Sequence, residues 1–282
     1  MTDALTHTDA RRREAGAFLR SRRERLTPAE VGLPEGFRRR TPGLRREEVA
    51  LLAGVGATWY TWLEQGRDVR PSAEVLAALA DALRMDTAER RHLHVLHDRP
   101  AQERRPTGPE TVEEPLMRLL GSLDRQPAYI LGRRWDVLAW NRAAVAVFGD
   151  YEEREGDARN IIHMVFADDA HRALLVDWDI LAPAALAMFR ADSARYAGDP
   201  EFERLIAHLN RVSPDFRRWW PRQEVLRPVS GHKSIRHPEA GLMAFEYTSF
   251  ALADQSDRKL IVYTPLEESG ALDALDALLA LT

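Results

Sequence analysis

Between residues 41 and 67, apolar positions spaced three and four apart predict two short helices with a turn between them. Gly54 and Val55 lie at the turn. The apolar positions that share a face on these two helices are Val49, Leu52, Ala53, Tyr60 and Leu63. The opposite face of the second helix is therefore predicted to be free for contact with another molecule.

Three flanking segments predict helices that complete this region. Residues 9–27 combine an apolar stripe with arginines on the remaining surface. Ser72 and Thr87 each precede a helical pattern, the first reaching Leu83 and the second about Leu96, and both residue types cap helix N-termini. The apolar positions of the first two of these helices are Ala15, Phe18, Leu19, Leu26, Val75, Leu76, Leu79, Ala80 and Leu83. The pattern predicts an all-helical first domain of five helices over residues 1–98.

The periodicity changes after residue 98. Residues 99–115 combine prolines and charges without apolar spacing, which predicts a linker. A second domain over residues 116–282 opens with a helix at 116–123, and helical patterns also fill 141–148 and most of 168–220. The predicted strands are Pro127–Leu131, Arg134–Trp140, Glu224–Arg236 as a bent pair around Gly231, Gly241–Leu252 and Leu260–Pro265. We therefore predict an α+β domain with a five-stranded antiparallel sheet and helices over one face, an order typical of PAS-type domains.

Charge is divided unevenly between these regions. The chain has 282 residues and a net charge of −4, but residues 1–105 carry 20 Lys or Arg against 16 Asp or Glu, and the remainder carries 20 against 28. Within residues 11–46 there are 12 arginines and 4 acids. An arginine cluster at one end of an acidic chain favours contact with a phosphate backbone, although a charge run alone is somewhat more often a solvated helix face.

The composition excludes several classes of site. The chain has no cysteine, so disulfides, thiolate metal sites and a cysteine nucleophile are excluded. The N-terminal segment lacks the apolar core of an export signal, and no run of about 18 apolar residues follows. We therefore expect a soluble cytoplasmic protein with no membrane partner.

The first domain resembles the lambda-repressor-like, XRE-type helix-turn-helix regulators of bacteria over the run RRTPGLRREEVALLAGVGATWYTWLEQGR (39–67), followed by RPSAEVLAALADALRMD (70–86). In a helix-turn-helix the N-terminal part of the second helix meets base edges in the major groove, while the first helix crosses the DNA backbone. The resemblance implies a base-facing set of Ala57, Thr58, Thr61 and Trp62. It also implies positioning or phosphate contacts from Arg39, Arg40, Arg45, Arg46 and Arg67. Many relatives carry Gln, Asn or Arg at the base-facing positions, whereas this chain has small or aromatic side chains there, so the operator sequence cannot be inferred from them.

The second domain resembles the MmyB-like ligand-binding domain found beside this helix-turn-helix in many actinobacterial regulators. The matching runs are PAYILGRRWDVLAWNRAAVAVFGD (127–150), ARNIIHMVF (158–166), SGHKSIRHPEAGLMAFEYTSFAL (230–252) and VYTP (262–265). The resemblance implies a small, fatty-acid-like molecule bound in a PAS-like domain.

Arg159, Asn160 and His237 are the predicted ligand anchors, since a guanidinium, an amide and an imidazole can orient a carboxylate in an apolar pocket. Each residue also has a structural interpretation. Arg159 can pair with an acid of residues 150–157, Asn160 can cap a helix, and His237 before Pro238 can anchor a strand turn.

The sequence thus predicts a transcriptional regulator, expected to be a homodimer, that binds double-stranded operator DNA and responds to a small ligand. No cofactor is expected beyond a bound fatty acid or similar molecule. The alternative is a DNA-binding regulator whose second domain is a dimerisation platform with a filled core and no ligand.

Catalysis and metal binding are not expected. The chain has no HExxH, GxSxG or Walker A motif, and Asp168 with Asp169 precedes a helical run, which favours an N-terminal cap. His92, His94 and His97 do not share a helix face, so we expect no metal site there.

Overall fold

The computed structural model describes residues 2–34, 42–97, 110–226, 230–253 and 257–281, with the side chains of residues 2–7 excepted. The chain divides into two compact units. The N-terminal unit contains residues 1–103, 190–204 and 218–227, and the C-terminal unit contains residues 104–189, 205–217 and 228–282.

The predicted five helices are present in the N-terminal unit. They are α1 (Thr2–Arg25), α2 (Arg46–Leu52), α3 (Ala57–Glu64), α4 (Ala73–Ala82) and α5 (Thr87–His97). The apolar stripe predicted on α1 is buried, with Phe18 and Leu19 fully inaccessible against Tyr60, Leu79 and Leu93. The predicted cap at Ser72 is confirmed, because its hydroxyl accepts a hydrogen bond from the backbone of Val75 at 3.3 Å. The fold prediction for this half is therefore confirmed.

Two details of the N-terminal prediction are wrong. Leu52 is 37% exposed, because the buried stripe of α2 runs through Val49, Ala50 and Ala53 and Leu52 lies about 60° to the other side of Val49. The cap of α5 is Asp86 rather than Thr87, since the Asp86 carboxylate accepts from the backbone N–H of Glu89 at 2.8 Å.

Two segments beyond residue 116 belong to the N-terminal unit. Ala191, Ala194 and Val225 are buried in the same apolar cluster as α1–α5. The buried Arg22 of α1 donates hydrogen bonds to the backbone carbonyls of Arg222 and Gln223, at 3.1 and 2.6 Å. The local sequence patterns of residues 190–204 and 218–227 carry no information about the core that these segments join.

The remaining helices begin with α6 (Glu114–Gly121), and two of them, at Ile161–Ala167 and Ala271–Leu281, were not among the helical patterns predicted from the sequence. They are α6, α7 (Arg142–Phe148), α8 (Ile161–Ala167), α9 (Asp169–Leu174), α10 (Trp178–Ser193), α11 (Pro200–Val212), α12 (Pro214–Trp219) and α13 (Ala271–Leu281). Short 3-10 turns lie between several of them.

The five-stranded antiparallel sheet is confirmed. Its strands are β1 (Ala128–Leu131), β2 (Val137–Trp140), β3 (Ser230–His237), β4 (Gly241–Ala251) and β5 (Lys259–Pro265), in the order β2-β1-β5-β4-β3. The predicted bent pair around Gly231 is wrong, because all eight residues of β3 pair with β4 in one unbroken register. Gly231 instead leaves room for a ring, since a Cβ there would lie 2.9 Å from the Tyr247 ring.

The two faces of the sheet differ in chemistry. One face packs Ala128, Ile130, Ala139 and Leu260 against Leu120 of α6 in an apolar cluster. The alternation of β-strand side chains sends the other set of residues to the opposite face. That face carries Tyr129, Lys233, Phe245, Tyr247 and Tyr263, and we call it the aromatic face.

Candidate functional site

The outer face of α3 is exposed while its inner face is fixed in the core. Tyr60 and Leu63 are buried, whereas Ala57 and Thr58 are exposed and Trp62 is 40% exposed. Gly56 forms the N-cap in extended conformation, so the helix begins at the first predicted base-facing residue. Thr61, also in the predicted set, is half-buried and donates its hydroxyl to the Ala57 carbonyl at 2.8 Å.

Close helix packing holds α3 in place. A Cβ at Gly16 of α1 would overlap the carbonyl oxygen of Glu64, the last residue of α3. The turn before α3 contains Gly54 at φ +65°, a left-handed conformation that glycine adopts without strain. Gly16 therefore lets α1 approach the end of α3 closely, and Gly54 lets the chain turn sharply before α3.

Glu64 is the centre of a buried ion-pair network. Its carboxylate accepts from Arg23 at 2.7 and 3.1 Å and from Arg46 at 2.8 Å, and its side chain is 1% exposed. Burial acts to raise the pKa of Glu64, but the hydrogen bonds and charges of Arg23 and Arg46 outweigh it and lower the pKa. The network therefore joins α1, α2 and α3 through one ionised carboxylate.

The predicted phosphate-contacting arginines have different surroundings. Arg46 is 42% exposed on its side chain and oriented by Glu64, and Arg45 is exposed at the N-cap of α2, with Glu47 at 3.6 Å. The Arg67 guanidinium lies 5.9 Å from the centre of the Trp62 ring. The other two predicted contacts, Arg39 and Arg40, lie outside the described residues.

In the C-terminal unit, Arg159 is half-buried and its guanidinium lies 5.9 Å from the centre of the Trp140 ring. The ion pair that residues 150–157 could have offered Arg159 is not present in the part of the chain that the structure describes.

Asn160 is fully buried, and its amide forms hydrogen bonds with other groups of the protein. Its amide N–H groups donate to the Arg134 carbonyl at 2.7 Å and to Asp136 at 3.0 Å. Its oxygen accepts from the backbone of Ile162 and His163 at 3.0 and 3.2 Å, which makes it the N-cap of α8. All four hydrogen-bonding positions of the amide are filled, as the helix-cap interpretation requires.

His237 anchors the turn between β3 and β4. Its Nδ1 accepts from the backbone N–H groups of Glu239 and Ala240, both at 3.2 Å. Burial lowers the pKa of His237, opposed by the charge of Glu239 and by a hydrogen bond with the backbone of Ala146. The contacts of His237 are those of the strand-turn interpretation.

Asp168 caps α9, as predicted. Its carboxylate accepts from the backbone N–H of His171 at 2.9 Å and pairs with Arg154. A carboxylate held in this way stabilises the helix terminus and its neighbouring arginine.

A second polar cluster lies on the aromatic face, at residues that sequence reasoning did not select. The hydroxyls of Tyr129 and Tyr263 are 3.0 Å apart, and the Lys233 ammonium donates to the Tyr263 hydroxyl at 2.9 Å. Tyr151, which follows α7, lies with its ring 6.1 Å from that of Tyr129 and 5.3 Å from that of Trp140. Phe148 of α7 completes the wall, 5.0 Å from the Tyr263 ring.

Burial determines the protonation of this cluster. Burial raises the pKa of Tyr129, Tyr151 and Tyr263 above the usual range, so all three hydroxyls keep their protons. His171 of α9 is neutral, because burial first and the nearby Lys233 charge second lower its pKa to about 3.

The signal for this cluster was present in the sequence but ambiguous. Tyr129, Tyr263 and Lys233 lie on three different strands, and their common face follows only when the register of the sheet is known. A lone lysine or tyrosine in a strand gives no indication of its cross-strand neighbours.

Two family models match the chain. The model described as the MmyB-like transcription regulator ligand binding domain matches residues 112–278, more than half of the chain. The model described as a helix-turn-helix domain matches residues 14–93. A search of curated proteins finds no match.

Proposed function

Because the chain belongs to the family of transcription regulators with an MmyB-like ligand-binding domain and carries a helix-turn-helix, we propose that it binds operator DNA through the outer face of α3 and that a small apolar acid controls this binding. The family makes the chain a DNA-binding transcription regulator, a regulatory rather than an enzymatic class. The residues that contact DNA and the chemistry of the ligand are the parts we propose.

The exposed face of α3 is the observation that carries the DNA-binding proposal. Ala57, Thr58 and Trp62 point away from a core that holds Tyr60 and Leu63, and that orientation is what insertion into a major groove requires. Arg46 begins α2 with its guanidinium held by Glu64 and partly exposed, which suits a contact that fixes the register on the phosphate backbone.

The ligand-binding proposal rests on the aromatic face. Four aromatic rings lie within about 6 Å of the Tyr263 ring, those of Tyr129, Phe148, Phe245 and Tyr247. A fifth ring, that of Tyr151, lies 6.1 Å from Tyr129. Sites for small molecules are lined by apolar and aromatic side chains with a few polar groups that orient the ligand. A fatty-acid-like molecule fits that chemistry, since its tail needs an apolar wall and its head needs donors.

We also propose a homodimer that acts in the cytoplasm. One recognition helix of eight residues reads only a few base pairs, and two copies on half-sites about one helical turn apart supply the remaining specificity. Among the described residues, no helix is long and apolar enough to cross a membrane. Sedimentation equilibrium of the pure protein with and without operator measures the stoichiometry, and a monomer bound alone to its operator contradicts the dimer.

Selection of bound sequences from random duplexes tests the DNA-binding proposal. The wild type should enrich one motif, and Thr58→Val or Trp62→Ala should change that motif. A pure protein that binds all duplexes equally at physiological salt would contradict sequence-specific recognition through α3.

Organic extraction of the pure protein followed by mass spectrometry distinguishes two functions for the C-terminal unit, a ligand sensor and a dimerisation platform without ligand. A stoichiometric apolar acid supports the sensor. Its repeated absence, together with no thermal shift across saturated fatty acids of 8 to 16 carbons, favours a platform with a filled core.

A further inference from the structure

The polar groups on the aromatic face have more hydrogen-bond donors than acceptors. Lys233 carries three donors and no acceptor, and one of the three reaches Tyr263 at 2.9 Å. The hydroxyls of Tyr129 and Tyr263 share one hydrogen bond, so one of their two protons has no acceptor within the described part of the chain. The Tyr151 hydroxyl is buried and has no hydrogen-bond partner there either.

The charge at the cluster is also unbalanced. Among the described residues, Lys233 forms no ion pair, and the carboxylate of Asp168 is already paired with Arg154. His171 is neutral and its buried Nδ1 has no hydrogen-bond partner among those residues. The half-buried Lys233 therefore lies near buried polar groups of Tyr151 and His171 that have no partner among the described residues, and buried donors left without partners cost free energy.

We propose that Lys233, Tyr263, Tyr129 and Tyr151 form the site that binds the acidic head of the ligand, with the tail along the rings of Phe148, Phe245 and Tyr247. This inference rests on the proposed function, namely that the C-terminal unit holds a small apolar acid, and it assigns the head group to a residue set different from Arg159, Asn160 and His237. We call these four residues the donor cluster.

A carboxylate matches the donor cluster better than a phosphate does. One ammonium neutralises one negative charge, and neutral hydroxyl donors complete the bonds to the two carboxylate oxygens. A phosphate monoester carries close to two negative charges near neutral pH and calls for more than one cation.

The sequence-predicted anchors do not offer a comparable set. Asn160 has no unused hydrogen-bonding position, and the Nδ1 of His237 is occupied by its own turn. The Arg159 guanidinium lies 5.9 Å from the centre of the Trp140 ring, which is 5.3 Å from the Tyr151 ring. Arg159 is therefore the competing cation on the same aromatic wall and the natural comparison in an experiment.

The backbone around Lys233 is fixed by neighbouring segments. Leu175, which follows α9, forms a bridge with Ile235 of β3, and the N–H of Val176 donates to the Ser234 carbonyl at 3.2 Å. These contacts attach the end of α9 to the β3 segment that carries Lys233. A head-group site requires such preorganisation, because ordering the donors at the moment of binding reduces affinity.

The test measures binding of dodecanoate, 1-dodecanol and dodecylammonium to the full chain after removal of copurified lipid, using titration calorimetry at pH 7.5. The wild type should bind the acid at least tenfold more tightly than the alcohol, and the alcohol more tightly than the amine.

Lys233→Met keeps an unbranched apolar side chain. It should bring the ratio of acid affinity to alcohol affinity close to one while leaving alcohol affinity within about threefold. Tyr263→Phe should lower the ratio in the same direction, and Arg159→Gln is the matched control that should leave it unchanged. Circular dichroism melts establish that each variant is folded.

The outcomes separate this inference from the proposed function. Wild-type protein that binds acid and alcohol equally, or an acid preference that survives in Lys233→Met and disappears in Arg159→Gln, overturns the donor cluster while the apolar-ligand function stands. Failure of the wild type to bind any of the three probes across chains of 8 to 16 carbons overturns the proposed function itself. If Lys233→Met does not fold, the wild-type order of head groups and the Tyr263→Phe ratio still decide the matter.

Discussion

The N-terminal and C-terminal units each contain a buried polar network, and the two networks are opposite in balance. Around Glu64, one carboxylate accepts three hydrogen bonds from two arginines, so its charge has partners within the protein. Around Lys233, an ammonium and buried hydroxyls lack the acceptor that would complete them in the described part of the chain. A completed network stabilises a fixed surface, whereas an excess of donors favours the binding of an acceptor from outside.

The largest effect expected is on stability, from Glu64→Gln. This change leaves Arg23 buried beside a neutral amide, and removing one partner of a buried ion pair costs about 3–5 kcal/mol. The free energy of unfolding from urea titration should fall by that amount, and operator binding should be lost at temperatures where the variant is unfolded. Lys233→Met is the comparison: it should change the free energy of unfolding by less than about 1 kcal/mol, because no ion pair is broken. A loss of equal size in both variants would remove the distinction between the networks.

The next effect concerns DNA binding. Arg46→Ala should weaken binding by a similar factor on all sequences and reduce the slope of log affinity against log salt by about one, because phosphates carry no sequence information. Thr58→Val or Trp62→Ala should instead change which sequence is preferred, at about 1–3 kcal/mol per altered base contact. Because Arg46 also pairs with Glu64, the melting temperature of Arg46→Ala must be measured in parallel. An unchanged preferred sequence in both Thr58 and Trp62 variants would mean that α3 meets the bases with another face.

A smaller effect is expected from pH. The pKa values of Glu64 and Glu89 are lowered in the folded protein: burial opposes the shift, and arginine hydrogen bonds and charges outweigh it. A depressed carboxylate pKa gives stability that is present above the unfolded value of about 4.3 and is lost as pH falls through the folded value. Unfolding free energies measured from pH 6 down to pH 3 should therefore decrease below about pH 4.3, and less steeply in Glu64→Gln. If the free energy of unfolding falls equally steeply in wild type and Glu64→Gln, groups other than Glu64 cause the loss of stability in acid.

Features that depend on residues close together in the sequence were predicted, whereas features that depend on distant residues were not. Helix spacing and caps are local, so the helices that form the helix-turn-helix were predicted from apolar positions such as Phe18 and Tyr60 and from the cap at Ser72. The five strands were predicted from runs of strand length, but the course of β3 was misjudged because Gly231 was interpreted as a bend when it makes room for Tyr247. The packing of Ala191 and Val225 with α1–α5 depends on contacts across the whole chain, which no local pattern encodes.

The same limit explains the candidate ligand site. Arg159, Asn160 and His237 were the predicted ligand anchors, because their side chains can bind a carboxylate. The structure gives Asn160 and His237 local hydrogen bonds that a sequence could suggest only as alternatives. The donor cluster depends on the register that brings Lys233 of β3 to Tyr263 of β5 across β4, and side-chain type alone does not determine that register.

Operator affinity with and without dodecanoate tests the central claim most directly, because it requires both networks to act in one molecule. A ligand changes DNA affinity only by the difference in its affinity for the two DNA-binding states, with a typical coupling of about 1–3 kcal/mol. We predict that dodecanoate shifts the operator Kd of the wild type by about fivefold to 150-fold, that Lys233→Met binds operator normally but loses the shift, and that Arg159→Gln retains it. A wild-type operator Kd that is the same with and without saturating dodecanoate would contradict the account, and a shift that persists in Lys233→Met but disappears in Arg159→Gln would return the ligand anchor to Arg159.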